Sequence, residues 1–140
     1  MMVSRWNISA YDGSPPDGEN RRIPTTGPLY GREEILAGLD AGRLQIMVWT
    51  RKCAGDLQRL DVGDDELPTL LKEVLLHGTY RNSEWCEQGT SGPWAACDAY
   101  SHARLEWVPT LGRETRVDYY VKFARNRAGN VLLLVSFHLS

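Results

Sequence analysis

The spacing of apolar residues changes character once along the chain, near residue 79. Before that point the period is helical. Leu67, Leu70, Leu71, Val74 and Leu75 fall at i, i+3, i+4, i+7 and i+8, the stripe of a helix with one buried face. Pro68 fits only the first turn of such a helix, and Gly78 ends it. Ile35, Leu36 and Leu39 predict an earlier helix over 30–41, with Glu33 and Glu34 in its first turns and Gly42 as a left-handed stop. Residues 44–49 alternate and predict a short strand; 51–60 predict a second helix; the acidic run 61–66 suits the start of the third.

From residue 79 the texture is β. Strands are predicted over 79–86 and 94–107, separated by a loop at 87–93, with a turn at 109–114 around Gly112. The last stretch, 117–140, predicts a hairpin whose two β-type runs flank Asn126-Arg127-Ala128-Gly129-Asn130. Period two places Tyr120 and Lys122 on one face of the first run. In the second run it places Leu134, Ser136 and His138 on one face and Leu133, Val135 and Phe137 on the other. Helices followed by an antiparallel sheet give an α+β class, with the helices packed on one face of the sheet. Residues 1–29 are dense in Gly, Pro, Asn and Asp and lack periodicity. They read as an irregular arm, touching the domain at most through Trp6 and Tyr11 and dispensable for its folding. Residues 30–140 read as one domain.

Composition narrows the picture modestly. The 140 residues suit one domain with a real core, and a net charge of −2 does not advertise a nucleic-acid partner. Charge is uneven, however. Arg104, Arg113, Arg116, Lys122, Arg125 and Arg127 outnumber Glu106, Glu114 and Asp118 within 104–127. That pattern is either a basic strip or an ordinary solvated face. Cys53, Cys86 and Cys97 have neither disulfide nor zinc spacing, and His77, His102 and His138 are scattered, so no metal site is predicted. No apolar run is long enough to span a bilayer and no export signal is visible, so a soluble, cytoplasmic protein is expected.

The order of several short motifs resembles the MqsR family, toxins of bacterial type II toxin–antitoxin modules within the RelE-like group of small endoribonucleases. The resemblance runs over about residues 30–140. It rests on Leu39-Asp40-Ala41-Gly42, Tyr80-Arg81-Asn82-Ser83, Cys97-Asp98-Ala99-Tyr100, Tyr120-Val121-Lys122 and Leu134-Val135-Ser136-Phe137-His138, in that order. It implies a RelE-like fold, cleavage of messenger RNA without metal or small-molecule cofactor, and a cognate antitoxin that neutralises the enzyme by binding. The family's strand Tyr is similar to Tyr120. A Lys beside the first strand's Tyr becomes Arg81, a Gln of the second strand becomes Cys97, and a C-terminal Lys becomes His138.

Metal-free RNA cleavage needs the 2′-hydroxyl deprotonated, the phosphorane charge neutralised and the leaving 5′-oxygen protonated. Arg81 is expected to bind the scissile phosphate, because guanidinium is a fixed fork for phosphate oxygens. His138 is expected to move the proton. Tyr120 would position a nucleotide or share in proton transfer, Lys122 would add positive charge, and Tyr80 and Arg125 would complete substrate binding. Each has a plainer reading: a solvated terminal His, a Tyr filling the sheet, and Arg or Lys paired across strands. Cys97 reads as a small buried hydrophobe. Two other functions stay open: a non-catalytic interaction module whose C-terminal hairpin edge pairs with a partner strand, and the toxin domain of a delivered effector with an immunity protein.

Overall fold

The computed structural model describes residues 6–139. Elements follow in the order α1 (Arg32–Asp40), β1 (Gln45–Val48), α2 (Arg51–Leu60), α3 (Leu67–His77), β2 (Thr79–Glu87), β3 (Trp94–Val108), β4 (Arg113–Arg125) and β5 (Val131–Leu139). The class is α+β, with three helices and a five-stranded sheet in the order β1-β5-β4-β3-β2. The sheet is mixed, which corrects the expected antiparallel one: β1 joins the edge of β5 in parallel. Chain order alone did not place it there, because the pairing spans the whole domain. Among the described residues, no helix is long and apolar enough to cross a membrane.

Local chemistry sets the helix ends. The Thr50 hydroxyl accepts from the Cys53 N–H at 3.0 Å, capping α2, and donates to the Val135 carbonyl at 2.7 Å. Gly42, at φ +72°, stops the turn after α1. Gly78 is required for a different reason. A Cβ there would lie 2.3 Å from the Val74 carbonyl oxygen and 2.9 Å from that of Ser101, so α3 can turn into β2 only through glycine.

The sheet has two unlike faces. The inner face carries Tyr100, Val121, Phe123, Leu132, Leu134 and Phe137, all almost fully buried in one cluster with Ile35 of α1 and Leu71, Val74 and Leu75 of α3. One register shift decides which β5 residues reach it. Lys122 pairs with Ser136, but Phe123 pairs with Leu134, so Val135 is an extra residue in β5. The bulge breaks strict alternation. Leu134 joins Phe137 on the inner face, while Ser136 and His138 remain on the other, correcting the predicted grouping of Leu134 with them.

The described residues of the arm form no helix or strand, yet their backbone is tied to the sheet. Ile8 N–H donates to Trp94 O, Ile23 N–H to Ser83 O, and Trp85 N–H to Arg21 O, all within 2.9 Å. Ile23 is buried with Trp85, Trp94 and Ala96 in a second apolar cluster, and Tyr11 stands edge-on to Trp85 at 5.8 Å. Trp6 is exposed. Asp98, fully buried, receives the Leu29 and Tyr30 amides at 3.0 Å and the Ser83 hydroxyl at 2.6 Å. Burial is the largest influence on this carboxyl and raises its pKa, against the pull of those donors.

Candidate functional site

The second, polar face of the sheet carries Tyr120, Lys122, Ser136 and His138. Register aligns Thr79, Ser101, Tyr120 and His138 in one row across β2, β3, β4 and β5. The next row holds Asn82, Ala99, Lys122 and Ser136. The Tyr120 and His138 rings stack with centroids 5.1 Å apart and planes 26° apart. His138 Nδ1 lies 2.9 Å from the Leu139 carbonyl oxygen. A carbonyl only accepts, so Nδ1 carries a proton and the neutral ring keeps its Nε2 lone pair. Burial pushes the Tyr120 phenol above the ordinary tyrosine range, against the nearby Lys122 ammonium. Tyr120 is therefore a hydrogen-bond donor and a stacking surface near neutral pH, not a base.

Beside this row lies a groove of about 720 Å³, lined among others by His77, Arg81, Asn82, Ser101, Arg116 and Tyr120. Arg81 reaches it because of a bulge. Tyr80 pairs with Tyr100 and Asn82 with Ala99, so Arg81 has no cross-strand partner and its side chain leaves the regular alternation. Arg81 is exposed, and no ion pair or side-chain hydrogen bond ties its guanidinium to another described residue. Arg116 in the same groove is held by Asp118 at 3.0 Å. The Asn82 side-chain oxygen is buried without a hydrogen-bond partner.

Other predicted site residues go elsewhere. Tyr80 lies on the inner face, its hydroxyl bonded to that of Ser83 at 2.6 Å and its ring edge-on to Tyr100 at 5.8 Å. It cannot meet a substrate on the polar face. Arg125 sits at the far end of β4, donating to Gly129 O at 3.1 and 3.2 Å and pairing with Glu34 at 3.6 Å. It braces the hairpin link. Lys122 is on the expected face, mostly buried, and ion-paired with Glu84. Burial pulls its pKa down, but negative charge on the Cys86 sulfur and the Glu84 carboxylate outweigh that and hold the ammonium above its ordinary range. Its charge is thus largely balanced in place. Cys97 is fully buried, its thiol 3.5 Å from the Ala95 carbonyl oxygen.

The sequence reading missed His77, His102, Arg116 and Asp118 of the groove. Arg116 and Asp118 were reachable, since 116, 118 and 120 share a face by period two. His102 was not: alternation turns it to the inner side, where its Nε2 lies 2.9 Å from Glu73 of α3 and its ring 6.3 Å from that of His77, yet it borders the groove. Among the described residues no group of three or more His, Cys, Asp or Glu is placed to hold a metal ion. No family model, curated protein or solved structure matches this chain.

Proposed function

We propose that this protein is a small RelE-like endoribonuclease, its helices gathered over the inner face, that cuts RNA without metal in the cytoplasm and is restrained by a cognate antitoxin. One observation carries the reading: an unpaired guanidinium, Arg81, and the Tyr120 phenol line one open groove, and the His138 imidazole stacks on Tyr120. In this reading Arg81 binds the scissile phosphate. His138 takes the 2′-hydroxyl proton on Nε2, or returns one to the leaving 5′-oxygen. Tyr120 holds the imidazole flat and donates to the phosphate or stacks the adjoining base. Lys122, balanced by Glu84, keeps the floor of the face near neutral. Tyr80 and Arg125 have no place in the substrate site.

The test is incubation of the purified chain with an unstructured RNA in EDTA, beside Arg81→Ala. Cleavage is expected in EDTA, with a strong loss in Arg81→Ala. The variant's stability should change by no more than about 0.5 kcal/mol, as is usual for surface positions. Activity that needs magnesium would sink the metal-free step. An Arg81→Ala enzyme with full activity would remove Arg81 from the site.

The edge of the C-terminal hairpin does not favour the interaction-module reading. β1 pairs with β5 over Val131 to Leu134. Beyond it, the Thr50 hydroxyl takes the Val135 carbonyl and Asp56 takes the Phe137 N–H.

A further inference from the structure

The open edge of this sheet is elsewhere. β2 stops pairing with β3 at Thr79 and Ser101, while β3 runs on to Val108 against β4 alone. From Ala103 to Val108 the outer side of β3 pairs with no strand among the described residues. Sheet proteins usually blunt such edges with charged side chains, lysine above all, or with proline or a bulge. This segment reads Ala-Arg-Leu-Glu-Trp-Val: it has no lysine, proline or bulge, and its charges, Arg104 and Glu106, are of opposite sign. It also exposes large apolar side chains, Leu105 at 65% and Trp107 at 63%. Both point to the polar face, whereas Arg104 and Glu106 point to the inner one, where Arg104 meets Glu73 at 3.1 Å and Glu106 at 3.2 Å.

We infer that this edge pairs with the same edge of a second copy, antiparallel and centred on Leu105, to make a two-fold dimer with one continuous sheet. The argument is self-complementarity. An antiparallel pairing centred on residue 105 sets Leu105 against Leu105 and Ala103 against Trp107, small against large. It sets Arg104 of each copy against Glu106 of the other, opposite charges in directly facing positions. Shifting the register by two residues, to centre on 104 or 106, sets Arg104 against Arg104 or Glu106 against Glu106. One register is therefore favoured by both packing and charge, as an isologous interface requires. Room exists on the inner side. A cleft of about 560 Å³ separates this segment from the α2–α3 link, and Asp65 and Glu66 line it. The second copy's Arg104 would face those carboxylates. The pairing needs no catalytic assignment, and it places the two grooves on the same face beside the two-fold axis.

A strand pair of this length is weak alone, so association should depend on concentration. Light scattering of the full chain over a concentration series should give a mass rising towards twice 15.8 kDa. Leu105→Lys sets two ammonium groups face to face at the axis from one substitution. It should stay monomeric throughout, with the melting curve of wild type at dilutions where wild type is monomeric. If it melts early, the equally exposed Trp107→Lys takes its place. Arg104→Glu and Glu106→Arg should each be monomeric alone. Their equimolar mixture, and the single chain carrying both exchanges, should dimerise again, which a nonspecific patch would not do. A wild type that stays monomeric overturns the inference, as does a dimer indifferent to Leu105→Lys and to the charge exchange. In the monomeric case, loss of affinity for a labelled RNA in Leu105→Ala, which removes the apolar contact without adding a cation, would assign the face to RNA. Unchanged RNA affinity would leave it to a different protein.

Discussion

His138 is held by contacts on two sides. Its ring lies on Tyr120 at 5.1 Å, and its Nδ1–H is committed to the Leu139 carbonyl. What remains is Nε2, the nitrogen a proton-transfer role requires. Histidine changes charge between about pH 5 and 8, whereas lysine stays charged there. If Nε2 moves the proton, the cleavage rate should bend with pH. His138→Lys should flatten the bend, and His138→Ala should abolish most cleavage. Neither change should unfold the sheet, because His138 shares its face with Ser136 and lies outside the apolar cluster. The measurement is the pH–rate profile of all three proteins on one RNA. A wild-type profile in His138→Ala would return this residue to a surface role and leave Arg81 and Tyr120 to carry the chemistry.

At the scale of elements, the helices and strands were legible because their signals are local. The stripe from Leu67 to Leu75 gave α3, and the β-branched runs around Asn126 to Asn130 gave the final hairpin. The site was legible only as far as alternation holds. Tyr120, Lys122, Ser136 and His138 do share a face, but Val135 and Arg81 each interrupt the count, and a bulge leaves no mark in the hydrophobic pattern. Tyr80 fails as a site residue because it stands one position before that interruption. The parallel join of β1, and the closure of the β5 edge by α2, depend on contacts more than 80 residues apart in sequence. Asp56 shows what that closure is worth. Its side chain is 2% exposed and receives the Phe137 N–H at 3.1 Å, Lys52 at 2.8 Å and Arg59 at 2.8 Å. Burial pushes its pKa up, but these donors outweigh burial and hold the carboxyl below the usual range. As pH falls, the unfolded chain takes up this proton first. The stabilisation is therefore complete above the ordinary carboxylate range and is lost below about pH 4, through the depressed folded value. Asp56→Ala should cost about 1–3 kcal/mol at pH 7 by orphaning a buried amide. The difference from wild type should narrow in urea melts at about pH 3, a pH below the ordinary carboxylate value. A difference that stays constant with pH would mean that Asp56 acts only through packing.

For the whole molecule, the open question is where the folding unit begins. Composition set the first 29 residues aside, since Gly, Pro and Asn carry no period. Their backbone nevertheless supplies partners that the sheet lacks without them. Trp94 is bonded on both sides, its N–H to Trp6 O and its carbonyl to Ile8 N–H, and Arg21 O takes the Trp85 N–H. The Ser9 hydroxyl accepts from Ala96 N–H at 3.0 Å. Asp98 depends on Leu29 and Tyr30 for two of its donors, and a chain starting at Gly27 keeps those. Such a chain loses everything upstream, including Ile23, and it uncovers Trp85 and Trp94, now 6% and 7% exposed. Burial of a large apolar side chain contributes about 1.5–3 kcal/mol. Exposing two tryptophans therefore removes several kcal/mol from a domain whose total stability is typically about 5–15 kcal/mol. The truncated chain should melt far below the full one, or unfold without cooperativity. Thermal denaturation of the truncated and full chains decides the matter. A Gly27 chain that melts cooperatively within a few degrees of the full protein would show that the arm only decorates the sheet, and that the second apolar cluster does not hold the fold.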